Sequence, residues 1–160
     1  GGLWNLSFSD NGIYRGTLEN GQLKFKKMGT VPQVHAWGIT HDGKQLIVTG
    51  DYSHQLFFLN PDTAKLVRTL DTNGKDLEDL AWDGEGIWTS SFTQDVGQVF
   101  RINPKTGKRS ALYSLPDRQA CPVIDGIAFD GKNLWITGKH CPSLYYVEMP
   151  TLGGKRSPSR

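Results

Sequence analysis

The chain has 160 residues, enough for one domain with its own core, with 37% hydrophobic and 21% charged residues, 19 glycines and a formal net charge of +2. So small a charge leaves no electrostatic footprint for nucleic acid, and no apolar run approaches the roughly 18 residues of a membrane-spanning helix. High glycine content among short apolar runs points to an all-β protein with many turns. The chain opens on neither Met nor a leader pattern, so residue 1 is expected to lie downstream of the first residue of the gene product.

The first segment begins inside a pattern. Gly2-Leu-Trp-Asn-Leu-Ser-Phe8 resembles Gly86-Ile-Trp-Thr-Ser-Ser-Phe92. Each is followed by Asp and Gly, by an apolar pair (Ile13-Tyr14; Val99-Phe100) and by a turn (Glu19-Asn-Gly21; Asn103-Pro-Lys-Thr-Gly107). With the strands of a repeat lettered a to d from the centre outwards, Leu3 begins a strand b. Its strand a would lie before Gly1. An unpaired inner edge is costly, so upstream chain or another chain is expected to supply the missing strand and blades.

Three stretches further on share one layout: Trp37 to Thr49, Asp79 to Ser90 and Ile124 to Lys139. Each is an apolar alternating run, then Asp-Gly, then a second apolar run. Asp-Gly between such runs is a strong hairpin signal, because both turn residues take positive φ. The glycines Gly43, Gly84 and Gly131 lie 41 and 47 residues apart, near the length of one four-stranded propeller blade. The second repeat is complete: strands at 36–40, 45–50, 55–59 and 66–70, with an Asn60-Pro-Asp-Thr turn before the last. The third runs from Leu77 to Leu115. The fourth runs from Ile124 to Met149, where Pro150 and two glycines oppose a long fourth strand. The fold expected is all-β, with β-propeller blades of four antiparallel strands, three to four of them present. The blades fall at about 1–34, 35–76, 77–121 and 122–153 of a single domain over 1–155, followed by a flexible basic tail at 154–160. Trp4, Trp88 and Trp135 share one strand b position with Ile47, where large apolar groups pack between blades.

Chain direction sorts the loops. The regular Asp-Gly and Asn-Pro turns fall on one face. The irregular segments at 28–35, 51–54, 71–79, 92–97, 116–125 and 139–143 fall on the other, and function concentrates in irregular loops on a rigid scaffold. That face gathers His35, Trp37, Asp51, His54, Glu78, Asp79, Phe92, Asp95, Asp125, Lys139 and His140. Cys121 and Cys141 lie there too, in neighbouring loops. A disulfide is favoured over two separate thiols or a metal role, since the spacing with His140 matches no common zinc pattern. A bridge would suit a secreted or periplasmic setting or the secretory pathway. No nucleophile elbow, zinc-protease helix or phosphate loop occurs, and the four histidines define no site by themselves.

At this point the residues resemble a known family. Ala36-Trp-Gly-Ile-Thr-His-Asp-Gly-Lys44, Leu56-Phe-Phe-Leu-Asn-Pro61, Leu77-Glu-Asp-Leu80 with Gly86-Ile-Trp88, and Ile124-Asp-Gly-Ile-Ala128 with Thr137-Gly-Lys-His-Cys-Pro142 stand in the order found in plant-type and bacterial glutaminyl cyclases. The match covers about Leu3 to Met149, and the order of the motifs is more specific than any one of them. The resemblance implies part of a five-bladed propeller that forms pyroglutamate from an N-terminal glutamine, releasing ammonia without cofactor or metal. Its partner would be a peptide with N-terminal Gln. The alternative is a non-catalytic propeller that binds a peptide or protein partner or serves as a structural subunit. Carried over by position, Trp37 matches a pocket tryptophan and Lys139 a family lysine. Phe8 and Phe92 stand where the family tends to have tryptophan. Glu78 and Asp125 stand where it has asparagine, which exchanges an amide able to donate for an acceptor-only carboxylate. The catalytic candidates are Lys139 and Glu78; the substrate-binding candidates are Phe8, Trp37, Phe92 and Asp125.

Overall fold

A computed structural model describes residues 2–32, 35–50, 53–73, 76–91, 96–115 and 117–149. These form fourteen strands in four antiparallel sheets, each a simple meander. The first sheet holds β1 (Leu3–Ser7), β2 (Gly12–Glu19) and β3 (Gln22–Thr30); the second holds β4 (Ala36–His41), β5 (Leu46–Gly50), β6 (Gln55–Leu59) and β7 (Leu66–Asp71). The third contains β8 (Leu77–Trp82), β9 (Ile87–Ser91), β10 (Gln98–Ile102) and β11 (Arg109–Ser114). The fourth contains β12 (Val123–Phe129), β13 (Asn133–Lys139) and β14 (Tyr145–Glu148). No described helix is long and apolar enough to cross a membrane.

The repeat seen in the sequence has a local physical cause. In each Asp-Gly hairpin the aspartate accepts two backbone N–H groups just beyond the turn: Asp42 from Lys44 and Gln45, Asp83 from Glu85 and Gly86, Asp130 from Lys132 and Asn133. The glycine that follows takes φ between 91° and 99°, open to glycine without strain. In the third and fourth sheets the same carboxylate also accepts the indole N–H five residues on, Trp88 to Asp83 and Trp135 to Asp130. Asn60 and Asn103 act alike in the Asn-Pro turns, each accepting the amides two and three residues ahead.

Core lies between sheets rather than within one. Ile13, Val31, Leu46, Val48 and Phe57 join the first sheet to the second. Ile47, Leu56, Phe58, Leu80, Ile87 and Phe100 join the second to the third. Trp88, Val99, Ile124, Leu134 and Ile136 join the third to the fourth. Each fully buried side chain of this size contributes about 1.5–3 kcal/mol. Ile47 and Trp88 fill the repeated strand b position between sheets, Trp4 packs partly against the second sheet, and Trp135 is only half-buried.

The expected propeller is corrected by this arrangement. Two of the four sheets have three strands, not four. Packing runs from β1 to β4, from β4 to β8 and from β8 to β12, and among the described residues no comparable packing joins the fourth sheet to the first, so the sheets are separate and unclosed. The reason is visible at the two ends. Leu3, Leu18, Leu23 and Phe25 on the first sheet are about half exposed or more, as is Tyr146 beside Trp135 on the last. The faces that closure would bury stay uncovered. The basic tail expected at 154–160 lies outside the described residues.

Candidate active site

The inner strands of three sheets each carry a β-bulge near their start, and the bulges hold the candidate residues. On β4, Trp37 and Gly38 together face Thr49, between the pairs Ala36–Gly50 and Ile39–Val48. On β8, Glu78 and Asp79 face Ser90, between Leu77–Ser91 and Leu80–Thr89. On β12, Asp125 is the extra residue between Ile124–Gly138 and Gly126–Thr137. A bulge breaks the in–out alternation and re-aims a side chain. Here it turns Trp37, Glu78 and Asp125 to the same end of the three strands.

Trp37 sits at the centre. Its indole N–H donates to the Glu78 carboxylate, which is only 5% exposed. The approach of β8 that this needs depends on Gly38: a Cβ there would meet the Glu78 carbonyl oxygen at 2.5 Å and Asp79 Cα at 2.9 Å. Phe8, in the turn after β1, packs edge-on to Trp37 with ring centroids 5.4 Å apart. Phe8 also stacks on His35, 4.4 Å away. The His35 backbone has φ of 62°, a left-handed conformation rare outside glycine. Asn11 holds it there, its side-chain oxygen accepting the N–H groups of both His35 and Ala36.

Lys139, the last residue of β13, reaches back over the same ring. Its Nζ lies 5.5 Å from the Trp37 ring centroid and 3.6 Å from an Asp125 carboxylate oxygen. A cation over an indole face is worth about 0.5–1 kcal/mol when exposed and more as water is excluded. Asp79, behind this pair, accepts the N–H groups of Ile127 and Leu80. Burial pushes its pKa up, the two amides oppose that only in part, and the nearby Asp125 charge adds to the rise.

Five predicted residues from four sheets are therefore brought together: Phe8, Trp37, Glu78, Asp125 and Lys139. Phe92, Asp51 and Asp95 lie outside the described residues. His54 lies elsewhere, 3.7 Å from Asp76, and His140 is exposed in the turn after β13. Cys121 and Cys141 are joined as a disulfide with Cα atoms 4.3 Å apart, tying the start of β12 to the loop after Lys139. Among the described residues no three His, Cys, Asp or Glu side chains converge as a metal site requires. Asn11 and Ser90, which help hold the site backbone, were not predicted; Asp79 was placed on the loop face by chain direction but given no role. For Asp79 a signal was present: aligned on the repeat, it stands where the other two inner strands have Gly38 and Gly126.

Further along the same inner strands, towards the Asp-Gly turns, Ile39 to His41, Leu80 to Trp82 and Ile127 to Phe129 line a separate cleft of about 300 Å³ that none of the five residues lines. The five residues place an aromatic wall, a cation and carboxylate acceptors side by side. In chemical kind these are a flat apolar surface, a hydrogen-bond-donating ammonium and acceptor carboxylates.

The family model described as Glutamine cyclotransferase matches residues 2–149. The glutaminyl-peptide cyclotransferase of Arabidopsis thaliana is 27% identical over 135 residues, covering 74% of this chain and 41% of its own length, so the chain spans about two-fifths of that curated relative. The crystal structure of Myxococcus xanthus glutaminyl cyclase superposes with a TM-score of 0.69 at 18% identity, over 91% of this chain and 67% of that one. A nidogen/laminin complex gives 0.65 at 18% identity, over 86% and 52%. At these identities the structural likenesses speak for the fold alone.

Proposed function

The chain belongs to the glutamine cyclotransferase family, and on that premise we propose that the full-length protein cyclises an N-terminal glutaminyl residue to pyroglutamate and releases ammonia. The observation that carries this reading is the convergence of Trp37, Glu78 and Lys139, from three different sheets, on one mouth.

In the reaction, the substrate α-amine nitrogen attacks its own γ-amide carbon. A C–N bond forms, the amide oxygen gathers negative charge, the original C–N bond breaks, and a proton passes from the attacking to the leaving nitrogen. The amine must be held against the amide carbon, which is worth several kcal/mol of barrier. Phe8 and Trp37 form the wall on which the compact glutaminyl group lies, with Phe92 assigned to the same wall from the sequence. Lys139 donates to the amide oxygen as charge develops there. Asp125 holds the Lys139 ammonium near the Trp37 face. Glu78 takes the proton from the attacking amine and returns it to the departing ammonia.

The test is ammonia release by the full-length protein from a peptide with N-terminal Gln. Lys139→Ala lowers kcat/KM at least about 100-fold, the usual cost of losing one oxyanion donor. No turnover at any pH sinks the enzyme reading. A second reading, a peptide-binding protein without turnover, is favoured by one observation: Glu78 is acceptor-only where the resemblance places an amide able to donate. Binding of the same peptide without ammonia release selects it.

A further inference from the structure

The Asp125 bulge does not hold itself. At a bulge the ladder is interrupted and backbone direction is set by whatever else grips the chain. On β12 two side chains of the neighbouring sheet do so, one on each side of Asp125. Ser90, on β9 and 1% exposed, donates its hydroxyl to the Ile124 carbonyl. Asp79, on β8, accepts the Ile127 N–H at 3.0 Å with one carboxylate oxygen and the Leu80 N–H at 2.8 Å with the other. Asp79 and Ser90 are opposed in their own sheet, where Glu78 and Asp79 face Ser90 across the β8–β9 ladder. One carboxylate thereby ties the bulge that carries Glu78 to the bulge that carries Asp125.

A side chain at the Asp79 position departs from the repeat. The equivalent Gly126 has no room for one, since a Cβ there would meet Thr137 Cγ2 at 2.6 Å. Of the three bulged inner strands, β8 alone carries a side chain at this position, and it reaches to β12, the strand that holds Asp125. Lys139 is half exposed, on a stem with four rotatable bonds, so its place over Trp37 is sensitive to where the Asp125 carboxylate is held.

We propose that Asp79 and Ser90 are positioning residues: a two-point clamp on β12 that fixes the Asp125 bulge and, through it, holds Lys139 over Trp37. The proposal rests on the assignment of Lys139 and Trp37 to the site. Its central test needs no turnover.

The experiment is competitive acylation of the full-length protein with an amine-reactive acetyl ester, read lysine by lysine by peptide mass spectrometry. Lys44 and Lys132, on the turns at the opposite face, serve as internal references. In Asp79→Ala and Ser90→Ala the Lys139 rate relative to Lys44 and Lys132 rises about threefold, the size of a half-exposed ion pair. Asp79→Asn, which keeps one acceptor oxygen, gives an intermediate ratio. The double variant exceeds neither single change by its full factor, because both act on one bulge. In the cyclisation assay the same variants lower kcat about tenfold or more with KM nearly unchanged, as loss of an interaction made in the transition state requires. An unchanged Lys139 ratio in folded variants overturns the clamp, whatever the activity does. Should Asp79→Ala fail to fold, Ser90→Ala and Asp79→Asn decide the matter. Failure of the unsubstituted protein to release ammonia overturns the cyclisation reading instead, and the labelling ratio still decides the clamp.

Discussion

The Trp37 indole N–H donates to the Glu78 carboxylate across the seam between β4 and β8. Glu78 is almost wholly buried, and a carboxylate so placed is tolerable only where donors surround it. Trp37→Phe keeps an aromatic wall and removes one of those donors. It is expected to destabilise the fold by about 1.5–3 kcal/mol, the range for a hydrogen bond to a charged group, measured by urea unfolding at neutral pH. An unchanged midpoint would mean that the bond contributes nothing.

Glu78→Gln separates chemistry from support. The amide oxygen still accepts the Trp37 N–H, while the group no longer takes up a proton. If Glu78 shuttles the proton between the two substrate nitrogens, kcat falls about 100-fold or more while KM and the unfolding midpoint change little. Equal activity in the two proteins assigns Glu78 a structural part only. Activity raised in Glu78→Gln would show that an amide serves better there.

The sequence disclosed the sheets well and the site in part. Asp-Gly and Asn-Pro turns located the hairpins because these residues bond their own backbone locally, as Asp83 and Asn60 do. The contacts that build the mouth are of another kind. Phe8, Trp37, Glu78 and Lys139 are far apart in the chain, and which face each uses depends on bulges that break the two-residue period. Alternation cannot reveal a bulge: sorting the loops put Trp37, Glu78 and Lys139 on one face, and only the family resemblance added Phe8 and gave the residues roles. Closure failed for a related reason: a repeat length fixes the unit but not how many units meet, and the half-exposed Leu23, Phe25 and Tyr146 lie on faces that no described sheet covers.

Two aspartates give opposite pH signatures. Asp83 is buried, which alone would raise its pKa, but the Arg101 guanidinium, the amides of Glu85 and Gly86 and the Trp88 indole outweigh that and hold it below the ordinary range. A carboxyl with a lowered folded pKa contributes stability above its unfolded value of about 3.9 and loses it as pH falls through the folded value. Asp79 is raised, chiefly by burial, so its folded state binds a proton more tightly and stability declines as pH rises from the unfolded value through the folded one. Urea midpoints measured from pH 7 downwards should therefore show the deficit of Asp83→Asn shrinking on the acid side. The midpoint of Asp79→Asn should gain on the unsubstituted protein as pH climbs past the unfolded value. Parallel curves for either variant would contradict the assigned shift.

The Cys121–Cys141 bridge makes the last prediction, and it joins stability to the site. The bridge closes a loop of 20 residues that contains all of β12 and β13. In the chain-entropy account, opening a loop of that size costs about 3 kcal/mol. The loss should be local first, because Val123 pairs with Lys139 at the end of the ladder nearest the bridge. Cys121→Ser with Cys141→Ser is expected to lower the unfolding free energy by about that amount and to speed amide exchange at Val123 and Lys139 before Ile127 and Ile136, which sit deeper in the hairpin. The intact chain should weigh two protons less than the reduced one. Free reactivity of both thiols in the unreduced protein, or exchange that quickens evenly along β12 and β13, would remove the bridge as the anchor of the Lys139 strand.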